Sequence, residues 1–197
     1  MINRAYCWDL RTANTYPSAH QLDFFSTADC ERTVALGLAR QPIESYVGLA
    51  QQVDNKIRKN RVVFFDPQDA ELRWIFERVA AGIRAINQQF WQFDLTMIET
   101  LQFTQYDRPS DFYAAHMDMS HGRTEQRKLG FSIQLSDPSS YTGSNLEFHS
   151  VGDDFYGTVR DQGAIIVFPS YMVHRVTPVE SGARYSLVGW VVGPPYR

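Results

Sequence analysis

Residues 94–106 read DLTMIETLQFTQY, and along this stretch the spacing of the apolar residues changes. Before it, the apolar residues of segment 69–89 recur every three or four positions, which is typical of a helix. After it, short runs of apolar and β-branched residues, separated by Gly and Pro, predict strands. Helices followed by many strands favour an α+β, mainly β fold. We expect a double-stranded β-helix (jelly roll) with N-terminal helices packed on one sheet.

Two helices are predicted in the first half of the chain. The first begins at Ser26 or Thr27, whose hydroxyl can accept a free backbone N–H, and it ends at about Arg40, before Pro42. The second spans Asp69 to Gln89, and its apolar face must cover a sheet. That face carries Leu72, Ile75, Phe76, Val79, Ile83 and Ile86.

The strand predictions extend over the whole chain. They cover residues 5–10, 45–49, 61–65, 96–106, 129–135, 145–149, 155–160, 164–168, 173–176 and 184–192. Residues 51–59 are polar and charged and are predicted to form a loop. The basic run from Lys56 to Arg61 is more typical of a solvated loop than of a binding surface, although a place in a lid stays open.

Length and composition set the broad class. We assign residues 1–197 to one domain, with helical support at about 24–92 and the jelly-roll core at about 94–192. The net charge of −3 offers no basic surface for nucleic acid or for an anionic membrane. Cys7 and Cys30 lie in no CxxC motif and are expected to be reduced thiols that pack. Without a signal peptide or a long apolar run, the protein is expected to be soluble and cytoplasmic.

A possible metal site lies late in the chain. His116 and Asp118 are two residues apart, so in an extended strand an imidazole and a carboxylate point to the same side. His174 follows the buried-type strand 164–168, and only the fold can bring it close. Two imidazoles and one carboxylate form the facial triad that holds Fe(II) with open positions. The competing interpretation is a structural histidine beside a surface acid, because a lone His-x-Asp arises by chance.

An arginine follows the second histidine of this set. Arg184 comes ten residues after His174, on a predicted strand between apolar residues. A buried guanidinium needs an anion, and a carboxylate fits it in a bidentate manner. No suitable acid lies beside it in the sequence, so a dicarboxylate co-substrate is a reasonable guest. An internal salt bridge to an Asp or Glu is the alternative.

Short motifs between about Thr104 and Trp190 carry a resemblance to a known family. They read HMD at 116–118, LSDP at 135–138, YTGSNL at 141–146, FPS at 168–170, HRVTPV at 174–179 and GAR at 182–184. The chain resembles the 2-oxoglutarate- and Fe(II)-dependent dioxygenases. Within them it is most similar to the prolyl 4-hydroxylase-like group, which includes the bacterial PKHD-type hydroxylases. It departs from the group at 143–145, where two glycines and an acid are usual, and this weakens any transfer of substrate identity.

The resemblance implies a cofactor set and roles for individual residues. Fe(II) would be ligated by the HMD histidine and aspartate together with the later histidine, and O2 would be consumed. Ascorbate is held open as a further cofactor. Arg184 would bind the far carboxylate of 2-oxoglutarate. Tyr106, Gln134 and Ser186 match positions whose side chains assist that binding; the hydroxyl of Ser186 lies on the same strand face as Arg184.

Three functions remain in view from the sequence. The first is a hydroxylase of an unactivated C–H bond on a prolyl or other residue of a peptide or protein. The second is the same reaction on a free amino acid or small metabolite. The third is a metal-binding cupin-like protein or isomerase, which would not need Arg184. A nucleic-acid demethylase is disfavoured, because those enzymes resemble an Arg-x5-Arg pattern and this chain has Trp190 at the second position. Neither nucleic acid nor membrane is an expected partner, and the protein is expected to be a monomer or a homodimer.

Several other residues could belong to the site but are more simply explained as surface or core residues. His121 is interpreted as a loop histidine, His149 as structural or solvated, and His20 as a surface residue. Tyr113 and Trp190 are more typical of a core than of a cavity mouth.

Overall fold

The computed structural model describes residues 16–45, 53–119, 126–150, 152 and 154–195. Its helices are α1 (Thr27–Leu38) and α2 (Arg73–Phe90), and a 3-10 turn lies at Pro138–Ser140. In chain order, its strands are β1 (Ala19–Gln21), β2 (Ile43–Glu44), β3 (Arg58–Lys59), β4 (Arg61–Phe65), β5 (Met97–Ile98), β6 (Leu101–Tyr106), β7 (Phe112–His116), β8 (Arg127–Gln134), β9 (Tyr141–Gly143), β10 (Leu146–His149), β11 (Phe155–Gly157), β12 (Ile165–Pro169), β13 (His174–Val176), β14 (Val179–Gly182) and β15 (Arg184–Val192). The strand predicted at 5–10 and most of that at 45–49 lie outside the described residues.

The strands form two larger antiparallel sheets and a short ribbon. The first sheet has the order β1-β12-β8-β15-β6-β4-β2, with β5 also paired to β15. The second has the order β11-β10-β13-β7-β3, and β14 pairs with β9 in the ribbon. This architecture agrees with the prediction of a mainly β chain whose helices precede most of its strands.

Both predicted helices are present, with adjusted starts and ends. Ser26 caps α1 in a capping box with Asp29, which agrees with the predicted start of this helix at Ser26 or Thr27. The second helix begins at Arg73 and not at Asp69. Asp66 and Asp69 each accept a backbone N–H two residues ahead, which stabilises turns in place of a first helical turn.

The first sheet separates two apolar interiors. Because side chains alternate along a strand, Leu101 and Phe103 of β6 pack with the helices, whereas Tyr106 faces the second sheet. The helix side buries α2 through the predicted apolar face, including Ile75 and Val79. The other interior lies between the two larger sheets, where Phe148 of β10 meets Phe168 of β12. This second interior holds the candidate site.

Two predictions about strands need correction. The strand expected at 96–106 is divided into β5 and β6, although both pieces pair with β15. The loop expected at 51–59 ends in β3, which pairs with β7. The interpretation of the basic run as solvated is wrong for Arg58, which is only 7% exposed. Its guanidinium donates to the side-chain amide oxygens of Asn60 and Gln102 inside the protein. The spacing of the sequence did not predict these contacts.

The described cysteine behaves as a packing residue. Cys30 is fully buried in α1, and burial, followed by the charges of Asp29 and Glu31, raises the pKa of its thiol to about 12. This agrees with a thiol that simply packs. Cys7 lies outside the described residues. Among the helices of the described chain, neither is long and apolar enough to cross a membrane.

Candidate active site

The three predicted metal ligands meet between the two larger sheets. His116 ends β7, His174 begins β13, and the two residues are directly paired in the register of these strands. Asp118 lies two residues beyond β7, where its backbone N–H donates to the carbonyl of Ser170. Its Oδ1 lies 3.8 Å from Nε2 of His116 and 3.7 Å from Nε2 of His174. The carboxylate lies close to both histidines, and Asp118 is held by a loop contact and not by strand pairing.

Backbone carbonyls fix the orientation of both imidazoles. Nδ1 of His116 lies 2.8 Å from the carbonyl oxygen of Ala114, and Nδ1 of His174 lies 2.9 Å from that of Met172. A carbonyl oxygen only accepts, so Nδ1 carries the proton in each ring. When the ring is neutral, Nε2 carries the lone pair and lies toward Asp118, which is the arrangement a metal-binding histidine requires.

The electrostatics of the site keep His116 neutral. Burial, then the neighbouring His174 and, to a lesser degree, Arg58 hold its pKa well below the usual value, although the carbonyl of Ala114 opposes the shift. A neutral imidazole is ready to bind a metal without releasing a proton. Because the unfolded residue titrates at about 6.5, the metal-free protein loses stability as the pH falls below that value.

The cavity around these ligands is lined by both larger sheets. Its walls combine polar, charged and aromatic side chains from β3, β6, β7, β8, β10, β12, β13 and β15 and from the loop that follows β7. The lining residues are Arg58, Gln102, Thr104, Tyr106, Tyr113, His116, Asp118, Phe131, Ser132, Leu146, Phe168, His174, Val176, Arg184, Ser186, Val188 and Trp190.

The predicted arginine is buried at one end of this cavity. Arg184 is 2% exposed, and its Nε and Nη2 donate to Oε1 of Gln134 over 3.1 and 2.9 Å. Nε2 of Gln134 donates in turn to the carbonyl of Val159, which keeps Oε1 directed at the guanidinium. The internal salt bridge considered from the sequence is not seen, since no carboxylate within the described ranges pairs with Arg184.

Unpaired polar atoms surround the guanidinium. Nη1 of Arg184, Oγ of Ser186 and Oγ1 of Thr104 are buried without a hydrogen-bond partner among the described residues. Ser186 is paired with Thr104 in the register of β15 and β6, and Arg184 is paired with Tyr106. Buried donors without partners are costly, so this cluster suits an anionic ligand. Its chemistry fits the far carboxylate of a dicarboxylate.

Most residues of this cluster were predicted from the sequence, and one was not. Tyr106, Gln134 and Ser186 all lie beside Arg184, as predicted. Thr104 was missed, although it alternates with Tyr106 on the inner face of β6 and is thus signalled by the strand period.

Of the residues first interpreted as core or surface, some line the cavity and others lie outside it. Tyr113 and Trp190 line the cavity, and Tyr113 also packs against the core cluster between the sheets. The ring of Tyr113 stacks on His116 at 3.6 Å. His149 of β10 packs against Phe155 of β11, and His20 of β1 is exposed. Both histidines lie outside the cavity, as expected. His121 lies outside the described residues.

Comparison with known families agrees with this geometry. Residues 101–192 match the sequence model described as the 2OG-Fe(II) oxygenase superfamily. The matched range contains all three candidate ligands together with the buried arginine. The match covers just under half of the chain, and this segment is similar to that superfamily.

Curated proteins that match part of this chain are named PKHD-type hydroxylases. One from Synechococcus sp. (strain CC9605) is 39% identical over 79 residues, which cover 40% of this chain and 36% of the relative. One from Hyphomonas neptunium is 39% identical over 85 residues, covering 41% and 38%. The chain therefore matches well under half the length of these relatives.

Solved structures of prolyl hydroxylases share the fold over most of the chain. A prolyl-4-hydroxylase from Pseudomonas putida has a TM-score of 0.71 at 20% identity, covering 91% of this chain and 94% of that one. A prolyl hydroxylase from Trichoplax adhaerens, solved with a hypoxia-inducible-factor peptide fragment, has a TM-score of 0.72 at 16% identity, covering 90% and 84%. At these identities the likeness establishes the fold alone.

A glycine beside the triad gives a sharp test of the carboxylate's placement. A Cβ on Gly130 would lie 2.2 Å from Oδ2 of Asp118 and 2.8 Å from the ring of Phe168. Gly130→Ala is expected to displace the carboxylate and lower Fe(II) affinity by at least about 10-fold, as is common when support of a ligand is lost. Anaerobic Fe(II) titration measures this.

Gly157→Ala is the matched control, because a Cβ at Gly157 meets no atom within 4 Å. It should bind Fe(II) as the native protein does. Unchanged Fe(II) affinity in folded Gly130→Ala would show that Asp118 does not depend on this close approach.

Proposed function

We propose that this protein is an Fe(II)- and 2-oxoglutarate-dependent dioxygenase that hydroxylates an unactivated C–H bond on a prolyl or other residue of a peptide or protein. The observation that carries the proposal is one cavity with two separate sets of groups. Two imidazoles and a carboxylate converge at one place. A buried guanidinium with an unpaired nitrogen lies at another.

The metal set suits ferrous iron. His116, Asp118 and His174 would hold the ion on one face, through two neutral nitrogens and one carboxylate oxygen, and leave the other positions open. The carbonyls of Ala114 and Met172 keep both rings in the metal-binding tautomer. Aromatic neighbours, including Phe168 at 4.6 Å from the ring of His174, keep bulk water from the ligands.

The anion cluster suits the co-substrate. Nη1 of Arg184 and the hydroxyls of Ser186 and Thr104 would donate to the far carboxylate of 2-oxoglutarate. In this proposal Gln134 acts through Arg184, because its amide oxygen already accepts two of the guanidinium N–H groups. Tyr106 forms the wall beside the guanidinium, with its ring centre 5.5 Å from Cζ of Arg184.

The division of labour follows from these contacts. Iron with 2-oxoglutarate and O2 supplies the oxidising power that inserts one oxygen atom into a C–H bond, while 2-oxoglutarate becomes succinate and carbon dioxide. The chain itself supplies fixed ligands, an anchor at a distance and a largely dry cavity. Its jelly-roll architecture, as we assign it, places the anchor on one sheet and both histidines on the other.

A non-oxygenase metal protein is less well supported. Such a cupin-like protein has no need for a buried arginine with an unpaired nitrogen beside two unpaired hydroxyls. The prolyl preference rests on similarity: the Pseudomonas and Trichoplax proteins that share the fold are named prolyl hydroxylases, and one was solved with a peptide.

The test is product formation under defined conditions. Protein loaded with Fe(II) is supplied with 2-oxoglutarate, ascorbate and 18O-labelled O2, and is offered proline-containing peptides and free amino acids. The proposal predicts succinate in step with a product that has gained one labelled oxygen, and it predicts that a prolyl peptide is preferred. Absence of succinate with every substrate, or metal-dependent turnover without 2-oxoglutarate, would contradict it.

A further inference from the structure

A second guanidinium, that of Arg58, lines the same cavity. Arg58 lies on β3, at the edge of the second sheet, and is 7% exposed. Its Cζ lies 4.6 Å from the ring centre of Tyr113, and that ring stacks in turn on His116. The ring of Tyr113 therefore lies between Arg58 and His116, a proposed iron ligand.

Only neutral groups are seen to accept from this cation. Its Nε donates to Oδ1 of Asn60 over 3.1 Å, and its Nη2 donates to Oε1 of Gln102 over 2.7 Å. No carboxylate in the described parts of the chain forms an ion pair with it. Its amide acceptors and the ring of Tyr113 leave the positive charge without an opposite charge, so a bound anion would stabilise it.

Arg58 contacts a different position on the inner face of the first sheet from the one that lies beside Arg184. On the paired strands β6 and β15, Tyr106 lies opposite Arg184, Thr104 opposite Ser186, and Gln102 opposite Val188. The Gln102 that Arg58 contacts is thus two side-chain positions along the inner face from the Arg184 end. The charge of Arg58 lowers the pKa of Tyr106 against the larger effect of burial, and it also acts on His116. Its ring contact is with Tyr113, which stacks on His116, so the guanidinium is also close to the histidines, where a substrate C–H bond would have to approach.

The summed charge of the cavity also favours an additional anion. Its lining carries the guanidinium groups of Arg58 and Arg184 and the carboxylate of Asp118, and both histidines are neutral when they ligate. A ferrous ion adds two positive charges, and the dianion of 2-oxoglutarate removes two. One positive charge therefore remains inside a largely buried cavity, and one anionic group would neutralise it.

We infer that Arg58 binds a carboxylate of the primary substrate, so that the enzyme hydroxylates a molecule with an anionic group close to the reacting C–H bond. This inference rests on the proposed function and narrows its substrate class. A planar carboxylate matches the forked donors of arginine better than other anions of that size. It can be the α-carboxylate of a free amino acid or an acidic group in a peptide, and the contact is the same in both.

Thermal unfolding with acetate as the probe tests the contact directly. Anaerobic protein saturated with Fe(II) and 2-oxoglutarate is heated with high millimolar acetate or with acetamide at matched ionic strength. Occupancy well above the dissociation constant is expected to raise Tm by about 3 °C with acetate. Acetamide has nearly the same shape without the charge and should give no such rise.

Variants assign the effect to the residue. Arg58→Gln is expected to lose the acetate-dependent rise, whereas Arg108→Gln, which removes a surface cation paired with Glu44, keeps it. If Arg58→Gln does not fold, Arg58→Lys replaces it: the lysine keeps the charge without the fork and should show a reduced rise. An equal acetate effect in the native protein and the Arg58 variant would overturn the inference, as would no acetate effect in the native protein.

The outcomes separate this inference from the proposed function. If Fe(II) and 2-oxoglutarate do not form their visible charge-transfer band with the native protein, the proposed function fails. If the band forms and acetate has no Arg58-dependent effect, only the inference fails. Loss of 2-oxoglutarate affinity in Arg58→Gln, to the extent expected for Arg184, would show that Arg58 serves the co-substrate and would overturn the inference.

Matched substrates then distinguish the two sources of the carboxylate. L-proline is compared with L-prolinamide, and a blocked Ala-Pro-Glu peptide with its Ala-Pro-Gln counterpart. Hydroxylation is expected to be at least about 10-fold faster with the acid than with the amide in one pair, and Arg58→Gln should remove that preference. Equal turnover of acid and amide in both pairs would contradict the inference.

Discussion

His174→Ala is expected to abolish iron-dependent turnover while the fold survives. His174 is 6% exposed, and its Nε2 lies 3.7 Å from the carboxylate of Asp118, so alanine removes one of three proposed ligands and leaves a gap that water can enter. Loss of outer support alone weakens metal binding about 10- to 100-fold, so loss of the ligand itself should cost at least about 100-fold. Anaerobic Fe(II) titration and succinate release measure the two effects.

His149→Ala is the matched control for this prediction. His149 lies at the end of β10, the strand that pairs with β13, and its ring packs against Phe155 and not against the triad. It should bind Fe(II) normally. Normal 2-oxoglutarate consumption by folded His174→Ala would mean that the ligand assignment is wrong.

Arg184→Gln is expected to raise the 2-oxoglutarate requirement strongly and to leave Fe(II) binding intact. Truncating one partner of a buried, hydrogen-bonded charge pair costs about 2–5 kcal/mol, so the dissociation constant should rise at least about 30-fold. Ser186 and Thr104 still offer their hydroxyls, which accounts for some remaining affinity. Titration of 2-oxoglutarate into the anaerobic Fe(II) protein gives the constant.

Two further variants check that the loss is specific to the anchor. Arg108→Gln removes an exposed arginine that pairs with Glu44 and should leave 2-oxoglutarate affinity unchanged. Arg184→Lys keeps a charge but loses the fork held by Gln134, and it should bind with intermediate affinity. An unchanged 2-oxoglutarate constant in folded Arg184→Gln would refute the role of the arginine.

Much of the site was predictable because strands alternate with a period of two. That period places Arg184 and Ser186 on one face of β15, and it places Tyr106 on the inner face of β6. The meeting of His174 with His116 was not derivable from spacing, since it depends on the pairing of β13 with β7. There the family resemblance supplied what local sequence could not.

Other features depend on contacts made far along the chain. Arg58 reads as part of a solvated basic run, and its burial follows from acceptors at Gln102 and from the ring of Tyr113, 44 and 55 residues away. Asp118 is held by the carbonyl of Ser170, beyond the end of its strand. Local propensity carries no record of such contacts.

The most direct test of the account is the visible charge-transfer band of the anaerobic protein with Fe(II) and 2-oxoglutarate. The account predicts that the native protein forms the band at one iron per chain. It predicts that His174→Ala forms none, and that Arg184→Gln forms it only at much higher 2-oxoglutarate. Absence of a band in the native protein, or a band of native strength in His174→Ala, would contradict the claim that these side chains assemble an iron and 2-oxoglutarate site.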